Sequence, residues 1–424
     1  MDKKISATIG DKFRYLGEYA LKLLKWLLIG LLVGFVVGVI SYVFSWCLEH
    51  VTALRNSYPW IVYGLPVGGL VIVGFYKLAE KYYGPDKGTN LIMASISDGK
   101  DIPVIMAPLI FMGTVITHLF GGSAGREGAA LQLGGSLGNF MGKILKFNER
   151  DKKVVIMCGM SAAFSALFGT PMAAAIFAIE ASTVGIMYYG SLFPCIVASL
   201  VASQFSATMG ISPEAFPLSG IPKISVSISA KVMLIALLCG ILSIIFCLAM
   251  KYVKKYLAVI IKNPFLRVVA VAAVFLGVTF LTGSTDYFGA GIDVIDRAVL
   301  EGEAVPYAFI LKLVLTALIL GGGYKGGEIV PAFYVGATFG CVMGHVLGVS
   351  PQLCAAVGMT AMFCGVTNCP ITAMLISFEL FGFDCVPYIL IATAVSFVSS
   401  GYTGLYSSQK FIYSKFSLIR KDDK

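Results

Sequence analysis

The 424-residue chain is too apolar and too weakly charged to be a soluble globular protein: 58% of its residues are hydrophobic and 13% are charged, against roughly a quarter charged in ordinary soluble chains. The formal net charge of +9 does not indicate a nucleic-acid partner, because the basic residues cluster at the ends of apolar runs and not on one aromatic-containing patch.

Apolar runs recur along the chain, and most approach the ~20 residues that a membrane-spanning helix needs. In chain order they are 27–44, 60–75, 103–120, 230–250, 268–281 and 388–398. The glycine-interrupted segments between them are too broken to form simple spanning rods. The pattern therefore predicts an all-α membrane protein with many tilted helices, some of which cross the lipid bilayer only partly.

Basic residues flank the first and the last apolar run. They are Lys3, Lys4, Lys12, Arg14, Lys22 and Lys25 before the first, and Lys410, Lys415, Arg420, Lys421 and Lys424 after the last. The positive-inside rule then predicts that both termini are cytoplasmic. Because the first twenty residues are polar, we expect no cleavable signal, and we expect a multi-pass protein of the plasma membrane.

The cysteines and histidines do not form the pattern of a metal site. The ten cysteines stand singly inside apolar segments, and no pair has the spacing of metal ligands. The three histidines, His50, His118 and His345, are scattered along the chain. We expect neither a metal ion nor another cofactor.

The chain contains an internal repeat. Residues 159–180 align with residues 358–379 at an offset of 199, with seven identities in 22 positions, and Gly134 aligns with Gly336 at an offset of 202. The polar stretch 206–225 would separate a first repeat, 1–205, from a second, 226–424. Internal repeats are typical of membrane transporters, whose sites lie where broken helices of the two halves meet. Duplication for structure alone is the alternative.

Each half contains a glycine-rich break that leads into an apolar helix. The first is 121–138 (GGSAGREGAALQLGGSLG), and the second is 321–340 (GGGYKGGEIVPAFYVGATFG). Irregular backbone at membrane depth is tolerated only where protein or water covers it. A helix that begins there directs its free N–H groups and its positive dipole end inward. Two such helix starts, one from each half, predict a shared anion site.

Glu127, in the first break, is the leading functional candidate. A carboxylate beside an anion site competes with the anion for the same hydrogen-bond donors, and protonation releases those donors. This competition couples proton occupancy to anion occupancy, and carboxylates within the membrane are functional by default. The alternative is that Glu127 only complements the helix dipole.

Three further carboxylates lie in the repeated segments. Glu328, in the second break, is a functional candidate, with a helix cap or an ion pair with Lys325 as the alternatives. Glu180 and Glu379 end matching apolar helices, and this symmetry favours a structural role.

Hydroxyl groups add candidate anion donors and raise one alternative function. Thr89, in the segment 88–92 (GTNLI), offers a hydroxyl at the cytoplasmic mouth, and Tyr406 offers a phenol near the end of the last apolar region. Ser123 raises the alternative of an intramembrane serine protease, but no histidine is placed to activate it. We therefore expect a protein that is not an enzyme, and a purely structural membrane protein is the remaining alternative.

These segments resemble the CLC family of chloride channels and proton-coupled anion antiporters over nearly the whole membrane domain. Residues 125–128 (GREG) match the family's G-[K/R]-E-G motif, in which the glutamate is the external gate. Residues 327–331 match the second-half G-x-[F]-x-P motif at its glycine and proline. The resemblance implies a CLC-type inverted repeat and a homodimer with one pathway per subunit. It implies an anion site formed by Thr89, Asn90, Gly125, Arg126, Gly128, Ile329, Val330 and Tyr406.

Departures from the chloride-type pattern favour the fluoride-exporting branch of CLC antiporters. The usual G-S-G-I-P is 88–92 (GTNLI) here, and Ala181 stands where the internal proton-transfer glutamate is expected. Glu328 occupies a position that chloride-type members fill with an apolar residue. In the fluoride branch, the resemblance ties this glutamate to proton coupling, together with the gate Glu127.

Two other departures keep chloride open as the transported ion. Val330 replaces a hydroxyl residue that is usual in the fluoride branch, and Ala129 replaces a proline common after the gate motif. The prediction is a proton-coupled antiporter that exports fluoride and is gated by Glu127. A chloride/proton antiporter or a passive chloride channel is the alternative.

Overall fold

The computed structural model describes residues 2–416, with side chains from Tyr15 onward. Outside this description lie three basic residues used for the topology prediction, Arg420, Lys421 and Lys424, and the side chains of four others, Lys3, Lys4, Lys12 and Arg14. Sixteen α-helices form most of the described chain. The predicted all-α fold is confirmed.

Eight helices precede the stretch predicted to link the repeats. They are α1 (Asp2–Ser57), α2 (Leu65–Tyr83), α3 (Thr89–Asp98), α4 (Met106–Leu119), α5 (Glu127–Ile144), α6 (Glu149–Phe168), α7 (Pro171–Glu180) and α8 (Leu192–Thr208). Short 3₁₀ turns at Pro59–Gly64 and Tyr189–Ser191 lead into α2 and α8.

Eight helices follow that stretch. They are α9 (Val226–Ile260), α10 (Pro264–Thr282), α11 (Ile292–Asp296), α12 (Ala308–Gly322), α13 (Ile329–Leu347), α14 (Pro351–Thr367), α15 (Pro370–Phe381) and α16 (Val386–Ser399). A π-helical turn at Arg297–Glu301 continues α11. Two short parallel strands, β1 (Thr183–Val184) and β2 (Lys410–Phe411), join the end of α7 to the C-terminal segment.

Six helical segments of the described chain are long and apolar enough to cross a membrane. They are Tyr15–Ser57, Pro59–Tyr83, Tyr189–Thr208, Val226–Ile260, Pro264–Thr282 and Ile329–Leu347. Other apolar helices are only 10 to 17 residues long, such as α7 and α15. Helices of that length cannot span ~30 Å of hydrocarbon alone. The predicted mixture of spanning and partly spanning helices is therefore present.

The helices α5, α6 and α7 are matched by α13, α14 and α15, as the sequence repeat predicts. The starts of α5 and α13 differ by 202 residues, as do those of α6 and α14, and the starts of α7 and α15 differ by 199. These are the offsets at which the sequence repeats. Each half therefore supplies one broken helix that leads into a buried helical pair.

The repeated glycines are explained by the way these pairs cross. A Cβ on Gly134 would overlap the carbonyl oxygen of Gly159, where α5 crosses α6. In the second half, a Cβ on Gly336 would overlap the carbonyl oxygen of Gly358, where α13 crosses α14. Small residues let helix backbones approach closely in membranes. The same contact thus fixes both copies of the repeat.

We expect Gly159→Ala to destabilise the protein by about 1–3 kcal/mol or more, because a methyl group at this crossing forces two backbones apart. The matched control is Gly277→Ala in α10, where a Cβ meets no atom within 4 Å and where alanine favours the helix. Thermal unfolding of the purified protein in detergent measures both effects. Equal melting temperatures for the two variants would contradict the packing account.

Candidate functional site

The two breaks meet directly in the interior of the molecule. The amide of Gly125 donates to the carbonyl of Gly327 at 2.8 Å, and the amide of Gly327 donates back at 2.6 Å. A Cβ on Gly327 would lie 2.5 Å from the backbone nitrogen of Gly128, so glycine is required there. The helices α5 and α13 begin two residues after this bridge. Their positive dipole ends therefore converge on one region.

The carboxylate of Glu127 folds back onto the start of α5. Its side chain is only 1% exposed. Oε2 accepts a hydrogen bond from the backbone amide of Arg126 at 3.0 Å, and Oε1 lies 3.4 Å from the guanidinium Nε of the same residue. The carboxylate thus accepts a hydrogen bond from one backbone amide at the helix start and lies close to the guanidinium group of the same residue.

Arg126 has a second carboxylate partner that sequence reasoning missed. Its Nη2 lies 2.6 Å from Oε1 of Glu214, in the stretch treated as a linker. A cavity of about 920 Å³, lined also by Arg55 and His118, opens beside this pair. The available signal was that Glu214 is the one acidic residue in 206–225. We call this opening the Arg126 mouth.

Glu328 lies on the other side of the bridge, at the residue before α13. Its side chain does not cap the helix, and its Oε2 is buried without a hydrogen-bond partner among the described residues. A Cβ on Gly128 would lie 2.9 Å from this oxygen. Both carboxylate candidates therefore contact the start of α5, although they are not counterparts in the repeat.

Lys325 does not pair with Glu328, because it forms an ion pair with Asp86 at 2.7 Å. Burial would raise the pKa of Asp86, but the charge and hydrogen bond of Lys325, helped by the amide of Gly88, hold that pKa below its ordinary value. The pair fastens the loop before α3 to the second break. The Glu328–Lys325 alternative is therefore wrong for this structure.

Thr89 begins α3 and reaches the first turn of α5. Its hydroxyl accepts a hydrogen bond from Nε2 of Gln132 at 3.1 Å and faces the carbonyl oxygen of Gly128 at 3.5 Å. Thr89 and Gln132 are both buried. The structure thus brings Thr89 to the same helix start as Glu127. Sequence reasoning missed Gln132, although this polar residue interrupts an apolar helix.

Asn90 connects the start of α3 to the C-terminal segment. Its Oδ1 accepts hydrogen bonds from the hydroxyl of Ser407 and the amide of Ser408, both at 3.1 Å. Tyr406, which directly precedes Ser407, is buried, and its hydroxyl has no partner among the described residues. The oxygen of Asn90 therefore holds the tyrosine segment beside the start of α3, and the donors of Asn90 are not used by these two bonds.

Ile329 and Val330 form the first turn of α13, and both are buried. Their backbone amides belong to the first four of the helix, which have no intrahelical partner. Val330 and Glu127 also line a small cavity with Phe168. The second break therefore offers backbone amides, and at Val330 no hydroxyl, to this region.

Glu180 and Glu379 bind the starts of each other's helices. Glu180 accepts hydrogen bonds from the amides of Ile371 and Thr372 at 3.1 and 2.8 Å, at the start of α15. Glu379 accepts from the amides of Met172 and Ala173, both at 2.9 Å, at the start of α7. This reciprocal capping satisfies helix N-termini and supports the structural role favoured by the sequence.

Comparison with known proteins identifies the family. The model of the voltage-gated chloride channel family matches residues 68–401. The chain belongs to this family. A "Chloride/fluoride channel protein" of Pseudomonas syringae pv. tomato is 34% identical over 400 residues, which cover 93% of this chain and 88% of that protein. The family membership makes the chain an ion-transport protein of the membrane.

Solved structures of CLC transporters share the fold. The crystal structure of a CLC-type fluoride/proton antiporter aligns with a TM-score of 0.86 and 30% identity, over 92% of this chain and 99% of that one. A slow cyanobacterial Cl⁻/H⁺ antiporter aligns with a TM-score of 0.76 and 18% identity, over 88% and 94%. The second likeness concerns the fold alone.

Proposed function

We propose that this protein is a proton-coupled anion antiporter that exports fluoride, with Glu127 as its gate. The observation that carries the proposal is the position of Glu127 at the meeting point of two helix starts, where its carboxylate accepts a hydrogen bond from the backbone amide of Arg126. When protonated, the carboxyl no longer competes for donors at this helix start, and an anion takes its place. One residue thereby links proton movement to anion movement.

Glu328 is the proposed coupling partner. Ala181, where the resemblance places the internal proton-transfer glutamate of chloride-type members, cannot carry a proton. Glu328 has a shielded, unpartnered carboxylate oxygen against the same helix start that holds Glu127. A carboxylate oxygen that is shielded from water and has no charged partner accepts a proton readily. The proposed proton path therefore uses two carboxylates, Glu127 from the first repeat and Glu328 from the second.

Fluoride is the favoured substrate because two similar proteins are described as handling this ion. The Pseudomonas protein is called a chloride/fluoride channel protein, and the aligned crystal structure is that of a fluoride/proton antiporter. Val330, which provides no hydroxyl, supports the second candidate, a chloride/proton antiporter. A small, strongly hydrated ion depends more on each compact donor than a larger ion does. No chemical reaction on a substrate is part of either proposal.

The proposed orientation places both termini in the cytoplasm of a plasma-membrane protein. Lys25 pairs with Asp151 at 2.6 Å, and Lys410 pairs with Asp98, so basic residues from both ends contact the ends of helices. Arg55 follows Lys25 by 30 residues of α1, or about 45 Å, and lines the Arg126 mouth. In this orientation, the Arg126 mouth faces the outside of the cell. The resemblance further supports a homodimer.

Efflux of fluoride and of chloride from liposomes tests the choice of ion. Liposomes that contain the purified protein and equal concentrations of the two salts are diluted into salt-free buffer, and ion-selective electrodes follow each ion. We expect fluoride to leave faster than chloride, and protein-free liposomes are the control. Faster chloride efflux would instead support the chloride/proton candidate.

A further inference from the structure

Gln132 is a buried polar side chain to which neither the motifs nor the proposed function assigns a role. It lies in α5, five residues after Glu127, and is 5% exposed. The turn that leads to α3 passes over it: Gly88 has a φ of +57°, and a Cβ there would lie 3.8 Å from Nε2 of Gln132. This packing aims the amide of Gln132 at Thr89.

The hydrogen bond from Gln132 determines what the Thr89 hydroxyl can do. A hydroxyl has one proton to donate and two lone pairs to accept with. Because an amide N–H of Gln132 donates to Oγ1 at 3.1 Å, that oxygen is already serving as an acceptor. The proton of the hydroxyl is left to point away from Gln132.

Within the protein, that proton has only a weak acceptor. The carbonyl oxygen of Gly128 lies 3.5 Å from Oγ1, at the long limit for a hydrogen bond. This carbonyl is also the regular intrahelical acceptor for the amide of Gln132, four residues later. An anion at the start of α5 is a better acceptor, and charge-assisted hydrogen bonds are the stronger kind.

We propose that Gln132 is a positioning residue that holds the Thr89 hydroxyl as a hydrogen-bond donor to the transported anion and thereby favours fluoride over chloride. The inference rests on the proposed function and on the contact between Thr89 and the anion that the family resemblance implies. Fluoride gains more than chloride from this hydrogen bond, because fluoride is the smaller ion and compact donors must replace its hydration shell. Gln132 itself acts through Thr89 and does not contact the anion.

The test is a double-substitution cycle of fluoride binding, measured by calorimetry on the purified full chain. We expect Gln132→Met, which keeps the length of the side chain, to weaken fluoride binding about fivefold, the equivalent of ~1 kcal/mol. Chloride binding should weaken less. Thr89→Val should weaken fluoride binding at least as much, and the double variant should be no weaker than Thr89→Val alone.

Further variants separate positioning from a general effect on the fold. In a Thr89→Ser background, which keeps the hydroxyl, Gln132→Met should again weaken fluoride binding about fivefold. Gln132→Glu, whose carboxylate accepts the Thr89 proton, should weaken it as well. Ser136→Ala is the control in the same helix, because its hydroxyl contacts Pro103 and not Thr89, and it should bind fluoride normally.

The outcomes distinguish this inference from the function on which it rests. If Gln132→Met weakens fluoride binding equally with and without the Thr89 hydroxyl, Gln132 does not act through Thr89 and the inference is wrong, while the anion site stands. If Thr89→Val leaves fluoride binding unchanged, both the assignment of Thr89 to the anion site and the inference fail. Equal losses for fluoride and chloride would overturn the selectivity role.

Discussion

Glu127→Gln is expected to abolish proton-coupled exchange while the protein still folds and still passes anions. Glutamine has nearly the shape of glutamate but cannot carry a proton at neutral pH. It also carries no negative charge, so it competes weakly for the amide donors at the start of α5. In liposomes with an outward fluoride gradient, proton uptake should fall to the level of protein-free liposomes, while fluoride efflux continues.

The matched control is Glu149→Gln, at the start of α6. Its carboxylate is 69% exposed and pairs with Lys152, away from both breaks. This variant should retain the normal ratio of protons to fluoride ions. Proton uptake by Glu127→Gln at the rate of the unmodified protein would show that this carboxylate is not the gate.

Glu328→Gln is expected to have the second largest effect, a loss of proton movement with the gate still present. The carboxylate oxygen that lacks a partner lies against the start of α5, where it can exchange a proton with the site only while it is ionisable. Removing it should interrupt proton transfer without freeing the donors that Glu127 occupies. Fluoride efflux should therefore be slower than in Glu127→Gln.

The comparison of the two glutamate variants is informative because the repeat does not make them equivalent. At the offset of 202, Glu127 corresponds to Ile329, and Arg126 corresponds to Glu328. Simultaneous recording of pH and fluoride in the same liposomes gives the ratio for each variant. If Glu328→Gln and Glu328→Ala both exchange with the normal ratio, Glu328 has no part in coupling.

Much of the fold was predictable because its signals are local in the sequence. Apolar runs of spanning length and two glycine-rich breaks indicated partly spanning helices. The offset of 202 between Gly134 and Gly336 correctly aligned the starts of α5 and α13. That these glycines pair with Gly159 and Gly358 required the structure, because which helices cross is a property of tertiary packing.

The candidate site was predictable only for residues within a motif. Glu127 and Arg126 stand in GREG, but the partner of Arg126 is Glu214, 88 residues away in the sequence. The alternative that Lys325 pairs with Glu328 is wrong because the side chain of Lys325 reaches Asp86 in another helix connection. Spacing along the chain cannot reveal contacts of this kind.

Gln132 and Asn90 both make side-chain contacts that the sequence does not reveal. Gln132 was not singled out from the sequence, and only its hydrogen bond to Thr89 gives it a place in the site. Asn90 stays a predicted anion-site residue, and the structure adds that its side-chain oxygen holds the segment after Tyr406. Both contacts depend on the direction of a side chain in the folded protein, which the sequence alone does not specify.

The most direct test of proton-coupled antiport is the movement of protons driven only by a fluoride gradient. Liposomes containing the unmodified protein are loaded with fluoride, the membrane potential is clamped with a potassium ionophore, and the pH is equal on both sides at the start. We predict that the outside becomes more alkaline as fluoride leaves and protons enter. Fluoride efflux with no change in pH beyond that of protein-free liposomes would contradict it.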